Sequence, residues 1–215
     1  MAPTVKRTAK KPAAAAADDD TTMPVDGRAA RAVRTRTAIV DALLGLLEEG
    51  DLQPPANRIA ERAGISLRLI YHHFGDLESL FSATAMREAE RLSALAQPID
   101  ADQPLDARVT ALVEQRCSML EWITPVRRAA LLQEPFSAEL TTARQVFYAM
   151  GDQQVDEVFA VELAALADDR RAAVASALHA ALMWGCWNDL RLSGHTVESA
   201  TAAVHATVAA LITPP

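Results

Sequence analysis

From Arg28 onward the apolar positions repeat with a helical period. Ile39, Leu43, Leu46 and Leu47 fall at i, i+4, i+7 and i+8, one stripe of an amphipathic helix that Gly50 ends. Pro54-Pro55 marks a turn, and Pro55 suits the first turn of the following helix. Residues 57–63 read as a short helix with Ile59, Ala60 and Ala63 inward, stopped by Gly64. Ser66 is placed to cap a second short helix over residues 67–73. Asp76 caps a longer one to about Gln97, with Leu77, Leu80, Phe81 and Leu92 among its apolar positions.

Beyond that point prolines and glycines divide the pattern. It predicts a helix over 105–123, another from Thr124-Pro125 to just before Pro135, and a third over 137–165 with Gly151 as its candidate interruption. Two more follow over 168–192 and 196–213, separated by Ser193-Gly194. Thr196 caps the last, and Glu198 favours its positive end. The expected fold class is all-α.

Composition agrees with that class. Glycines number only eight and β-branched runs are few beside a very large alanine content, which favours helix over sheet. No run of about 18 uncharged apolar residues occurs, so no membrane span is expected. No apolar signal region opens the chain, and the expected location is the cytoplasm. Residues 1–27 pair Lys6, Arg7, Lys10 and Lys11 with Asp18, Asp19 and Asp20 around an alanine run; they read as a disordered, solvated tail, against the alternative of a DNA-contacting arm that the acidic triplet would partly cancel. The net charge of −7 is uneven. Residues 1–80 carry 11 Lys+Arg and 11 Asp+Glu, leaving 10 and 17 for the remainder, so whole-chain acidity does not exclude a DNA-binding N-terminal part.

Two short helices across a glycine turn form a helix-turn-helix pattern over residues 59–74. Ala60 is small enough for the second helix to cross close above it, and Gly64 allows the positive φ of a tight turn. Ile65, Ile70 and Phe74 are assigned to the core. Ser66 is expected to satisfy free N–H groups where the second helix would enter a major groove.

These residues resemble the TetR family of transcriptional regulators. Ile59-Ala60, Ala63-Gly64-Ile65-Ser66 and Tyr71-His72-His73-Phe74 fit the family's approximate pattern IA-x-x-AGVS-x-x-x-[LI]-Y-x-HF, and the specific resemblance covers about residues 31–81. After the tail at 1–27, it implies a helix-turn-helix domain at 28–76 and a helical effector-binding and dimerisation domain at 77–215. Two positions depart from the family: Pro55 stands where a phosphate-holding threonine is usual, and Leu77 where a phosphate-contacting lysine is usual. Such losses flatten salt dependence and weaken non-specific affinity, with Arg58 or Arg28, Arg31, Arg34 and Arg36 as candidates to compensate.

For base reading the candidates are Leu67, Arg68 and Leu69, with Asn57 suited to adenine. Arg68 matches guanine O6 and N7, or else serves as a solvated or phosphate contact. Leu67 and Leu69 either meet thymine methyls or pack inward. By resemblance Ser66, Tyr71 and His73 contact phosphates, and His72 completes the expected DNA surface with Arg58.

The acidic remainder resembles the family's larger domain, whose last two long helices pair with a second subunit. Leu178, Ala181, Leu182, Gly185, Val204, Val208 and Leu211 are the expected dimer interface, with Trp184 adding buried area, against the alternative of packing within the chain. A small-molecule effector pocket is expected around Arg116, Met119, Trp122, Phe136, Arg144, Phe147 and Met150, with Glu121 a further polar candidate, against the alternative of plain core.

Enzyme chemistry finds no motif. His72 and His73 are adjacent and point to different sides of a helix, and His179, His195 and His205 show no HExxH spacing. Cys117 and Cys186 lie far apart on apolar helices and read as inert core thiols; no metal or cofactor is expected. The sequence therefore predicts a non-enzymatic homodimeric regulator of an inverted-repeat operator in double-stranded DNA, most simply a repressor. The alternatives are an effector-independent regulator or a helical protein-interaction module that has lost strong DNA binding.

Overall fold

The computed structural model describes residues 25–213, without the side chains of residues 25, 26 and 95. The expected tail lies outside the described residues up to residue 24; residues 25–27 already belong to the first helix. The described residues form α1 (Val25–Glu48), α2 (Ala56–Ala63), α3 (Leu67–Phe74), α4 (Leu77–Leu95) and α5 (Leu105–Gln133). A 3-10 turn (Glu134–Phe136) leads to α6 (Ala138–Val158), α7 (Ala160–Ala164), α8 (Asp168–Ala181), α9 (Trp184–Leu192) and α10 (Val197–Ile212). The fold is all-helical, with the helix-turn-helix near the N-terminus and the larger helical region after it. No described helix is long and apolar enough to cross a membrane.

The chain divides between Thr35 and Arg36 into two compact units. In the second, the α1 stripe is buried as its spacing predicts, with Ile39, Leu43, Leu46 and Leu47 at 2% exposure or less. These residues share one core with Ile59 and Ile70 of the two short helices and with Leu80 and Phe81 of α4. α5 is the central strut, packed against α4, α6, α9 and α10, while α8 packs on α6 and α10.

Three predicted helix boundaries are corrected. Thr124-Pro125 does not start a second helix: α5 runs through it. The turn at the proline is braced across the fold by the buried Thr124, which accepts the Trp184 indole N–H at 3.0 Å, and locally by its hydroxyl donating to the Leu120 carbonyl of the same helix at 2.7 Å. The break after α6 falls at Phe159, not at Gly151, and Phe159 is fully buried there. The expected helix over 168–192 breaks at Leu182–Met183, and both Trp184 and Trp187 of α9 are buried, their indole N–H groups reaching Thr124 and Glu121 on α5.

Candidate nucleic-acid interface and internal cavity

Gly64, at φ 66°, turns the chain so that the Ile65 N–H donates to the Ala60 carbonyl at 3.0 Å and closes α2. α3 follows at once. Its inner face carries Ile70 (0% exposed) and Phe74, while Leu67, Arg68, Tyr71 and His72, spaced i, i+1, i+4 and i+5, face solvent. The ambiguity at the two leucines thus resolves differently for each: Leu67 is outward, and Leu69 is half-buried.

Ser66 occupies the N-cap position in an extended conformation, but its hydroxyl makes no cap bond, contrary to the expected role. The first N–H groups of α3 are left without a side-chain acceptor. Asp76 does cap α4 as predicted, accepting the Ser79 N–H at 2.7 Å, and that bond holds its carboxyl below the usual carboxylate range.

On α2, α3 and the facing part of α1, Arg36, Arg58 and Arg62 are already engaged and Arg68 is not. Arg58 pairs with Asp51 at 2.9 Å and Arg62 with Glu49 at 2.7 Å. Arg36 donates to the His73 carbonyl at 2.8 Å and lies 4.1 Å from the Phe74 ring centre. It therefore ties α1 to the end of α3 and is not a free phosphate contact. Arg68 has no ion pair or side-chain hydrogen bond among the described residues, and it is exposed. Asn57 is exposed on α2; His73 is half-buried behind His72. Leu77, at the lysine position, packs half-buried against the core.

In the larger helical region α4, α5, α6 and the segment before α5 line a solvent-open cavity of about 1010 Å³. Of the predicted pocket residues, Arg116, Met119, Phe147 and Met150 line it. The others do not. Trp122 sits half-buried under the Arg91 guanidinium, 4.8 Å away; Phe136 is 85% exposed in the 3-10 turn; Arg144 is held by Glu134, which Arg127 also reaches at 2.9 Å. Glu121 is likewise spent on structure, accepting from Trp187 and Arg191.

Sequence reasoning missed the wall supplied by α4, which includes Met86, Glu90 and Ser93, and by Gln97 and Ile99 after it. An apolar stripe read only as core hides the positions that leave a gap. At the base, Arg116 is 6% exposed; its Nη2 donates to the Gly151 carbonyl at 3.3 Å and to Gln154 Oε1 at 2.5 Å.

The expected dimer residues also need correction. Leu178, Ala181, Leu182, Val204 and Val208 are all buried in the chain's own core, as is Trp184, so packing within the chain accounts for them. Gly185 is exposed and Leu211 half-buried. The exposed positions of α8 and α10 include small residues, Ala173, Ser176 and Ala180 on one and Ala202, Ala206 and Ala210 on the other, beside Asp168, Asp169 and Arg170 at the start of α8 and Glu198 at the start of α10. Both cysteines are unpaired; burial pushes the Cys117 thiol up to about 11.

Residues 39–84 match the family model described as bacterial regulatory proteins, tetR family. Among curated proteins none matches the chain. Solved structures with the same fold include a tetR-family transcriptional regulator from Streptomyces coelicolor, 22% identical, covering 83% of this chain and 80% of that one, with a TM-score of 0.65. A transcriptional regulator from Rhodococcus sp. Rha1 is 17% identical over 84% and 95% of the two chains, with a TM-score of 0.63. NalD, the secondary repressor of the MexAB-OprM multidrug efflux pump in Pseudomonas aeruginosa, is 24% identical over 81% and 95%, with a TM-score of 0.55.

Proposed function

We propose, from the premise that residues 39–84 are the DNA-binding segment of a tetR-family regulator, that the chain is a dimeric transcriptional repressor released from an inverted-repeat operator by a small molecule. The observation that carries this reading is the outward face of α3, where unpaired Arg68 stands with Leu67, Tyr71 and His72 next to an uncapped helix N-terminus. Entering the major groove by that end, α3 offers Arg68 to guanine O6 and N7 and Leu67 to a thymine methyl. Ser66, Tyr71 and the free N–H groups take phosphates, and Asn57 on α2 takes a neighbouring base edge. Arg58 contributes by exchanging Asp51 for a phosphate, its own side chain being 54% exposed and that of Asp51 22%. His72 and His73 extend the same surface.

Residues 28–76 are assigned to DNA binding and 77–215 to effector binding and dimerisation. The small-residue faces of α8 and α10 let two copies approach closely, and a two-fold pair places two recognition helices on half-sites roughly one helical turn apart. α4 gives the regulation a physical route. Its start packs on α3, and Met86, Ala89, Glu90 and Ser93 further along line the cavity. A ligand that moves α4 changes the spacing of the recognition helices, with a coupling of about 1–3 kcal/mol typical of allosteric systems.

The test is Arg68→Ala on the preferred duplex and on unrelated duplexes. A loss of about 1–3 kcal/mol confined to one symmetric base pair supports base reading. Equal loss on every sequence places Arg68 on the phosphates, and no preference in the unsubstituted chain contradicts the function itself.

A further inference from the structure

The cavity's chemistry points to a class of ligand, on the reading above that it is the effector site. Arg108 and Arg116 are the buried arginines of the described residues, each 6% exposed, and both stand on α5. Arg108 is neutralised by Glu162 at 2.5 Å. Arg116 has no carboxylate within ion-pair distance, and its Nε finds no acceptor at all. Burial pulls its pKa down, with the charge of Asp152 working the other way.

An unpaired buried guanidinium is costly, yet the neighbouring helix leaves room for it. A Cβ at Gly151 would stand 2.5 Å from Arg116 Nη1. The charge is thus seated in the wall of a cavity whose other lining includes Ile99, Met119 and Phe147. Among the described residues no carboxylate reaches ion-pair distance of it, and Asp152 acts on it only from farther away.

We propose that the cavity takes an apolar monocarboxylic acid, with its carboxylate received by Arg116 and its hydrocarbon laid against Met119, Phe147 and Ile99. The planar guanidinium matches a carboxylate, and the ligand supplies both the missing charge and an acceptor. The remaining charges in the lining narrow the class. Glu90, Glu139 and Glu157 are exposed carboxylates, which repel a polyanion but are screened by solvent from a single buried acidic head. A ligand carrying several phosphates does not fit that field.

The purified full-length chain is titrated calorimetrically with octanoate, dodecanoate and hexadecanoate below their micellar concentrations. The matching alkan-1-ols and dodecyltrimethylammonium run beside them. At least one acid is expected to bind roughly tenfold tighter than its alcohol, the scale of one charge-assisted hydrogen bond. Arg116→Lys is expected to keep part of that preference and Arg116→Gln to lose it, with melting curves checking that each is folded. If Arg116→Gln does not fold, the comparison of acid with alcohol on the unsubstituted chain decides alone.

Equal binding of acid and alcohol, tighter binding of the ammonium, a preference that survives in folded Arg116→Gln, or no binding by any acid overturns the proposal. DNA affinity is followed in the same samples. Acid binding that leaves DNA affinity unchanged contradicts the effector reading and leaves the ligand class standing.

Discussion

Two glycines meet an arginine in the same way, and burial decides what an added methyl does at each. A Cβ at Gly45 would lie 2.6 Å from Arg62 Nη2, and one at Gly151 would lie 2.5 Å from Arg116 Nη1. Both glycines are in helix interiors, where alanine is favoured by about 1 kcal/mol. Arg62 has a side chain 38% exposed and an exposed partner in Glu49, so it swings into water at a cost of about 0–1 kcal/mol. Gly45→Ala is therefore expected to be neutral or to stabilise by up to about 1 kcal/mol.

Arg116 is 6% exposed and has no such exit. Displacing it strains its bonds to Gln154 and the Gly151 carbonyl, each worth about 1.5–3 kcal/mol when the donor is charged. Loss of one outweighs the propensity gain, and Gly151→Ala is expected to destabilise by about 0.5–2 kcal/mol. Urea denaturation of the two variants beside the parent measures both. A Gly151→Ala protein at least as stable as the parent would refute the claim that Arg116 is fixed in place.

The remaining predictions follow from named contacts. Glu162→Gln removes the counter-charge of buried Arg108 and one of its two side-chain acceptors, leaving the amide oxygen and the Gln103 and Val158 carbonyls, and a loss of about 3 kcal/mol is expected at neutral pH in chemical denaturation. The Arg108 hydrogen bond holds the Glu162 carboxyl below its ordinary value, so its stabilisation is present above the unfolded carboxylate range, near pH 4.3, and is lost as pH falls through the lower folded value. Acid titration of stability should be correspondingly flatter in Glu162→Gln. Because Ser66 makes no cap bond, Ser66→Ala should cost under about 0.5 kcal/mol, while Asp76→Ala lowers the melting temperature more. Cys117, buried with its pKa near 11, should resist iodoacetamide in the native protein, and Cys186 should react first by mass spectrometry.

The helix-turn-helix was the most legible part of the sequence because local rules and packing agree there. Gly64 must turn left-handed, Ile59 and Ile70 must go inward, and the outward residues of α3 follow by elimination. Helix ends were less legible where tertiary contacts override the local signal. Pro125 remains inside α5 and Gly151 inside α6, the first braced by Trp184 and the second reserved for Arg116. Burial read from periodicity also does not say which chain does the burying. Leu178, Val204 and Val208 are as apolar as interface residues, but α5 and its neighbours cover them within the same molecule. The cavity was half legible for a related reason: Met119 and Phe147 are visible as large apolar residues, whereas the α4 wall needs the spacing between helices.

Selection of the purified chain on a random duplex library, at low and near-physiological salt, tests sequence-specific dimeric recognition most directly. The expected result is enrichment of one inverted repeat with half-sites about one helical turn apart, and an Arg68→Ala protein that loses preference at one symmetric base pair. Enrichment of no sequence at either salt would contradict it, and would favour a helical interaction module whose helix-turn-helix no longer reads DNA.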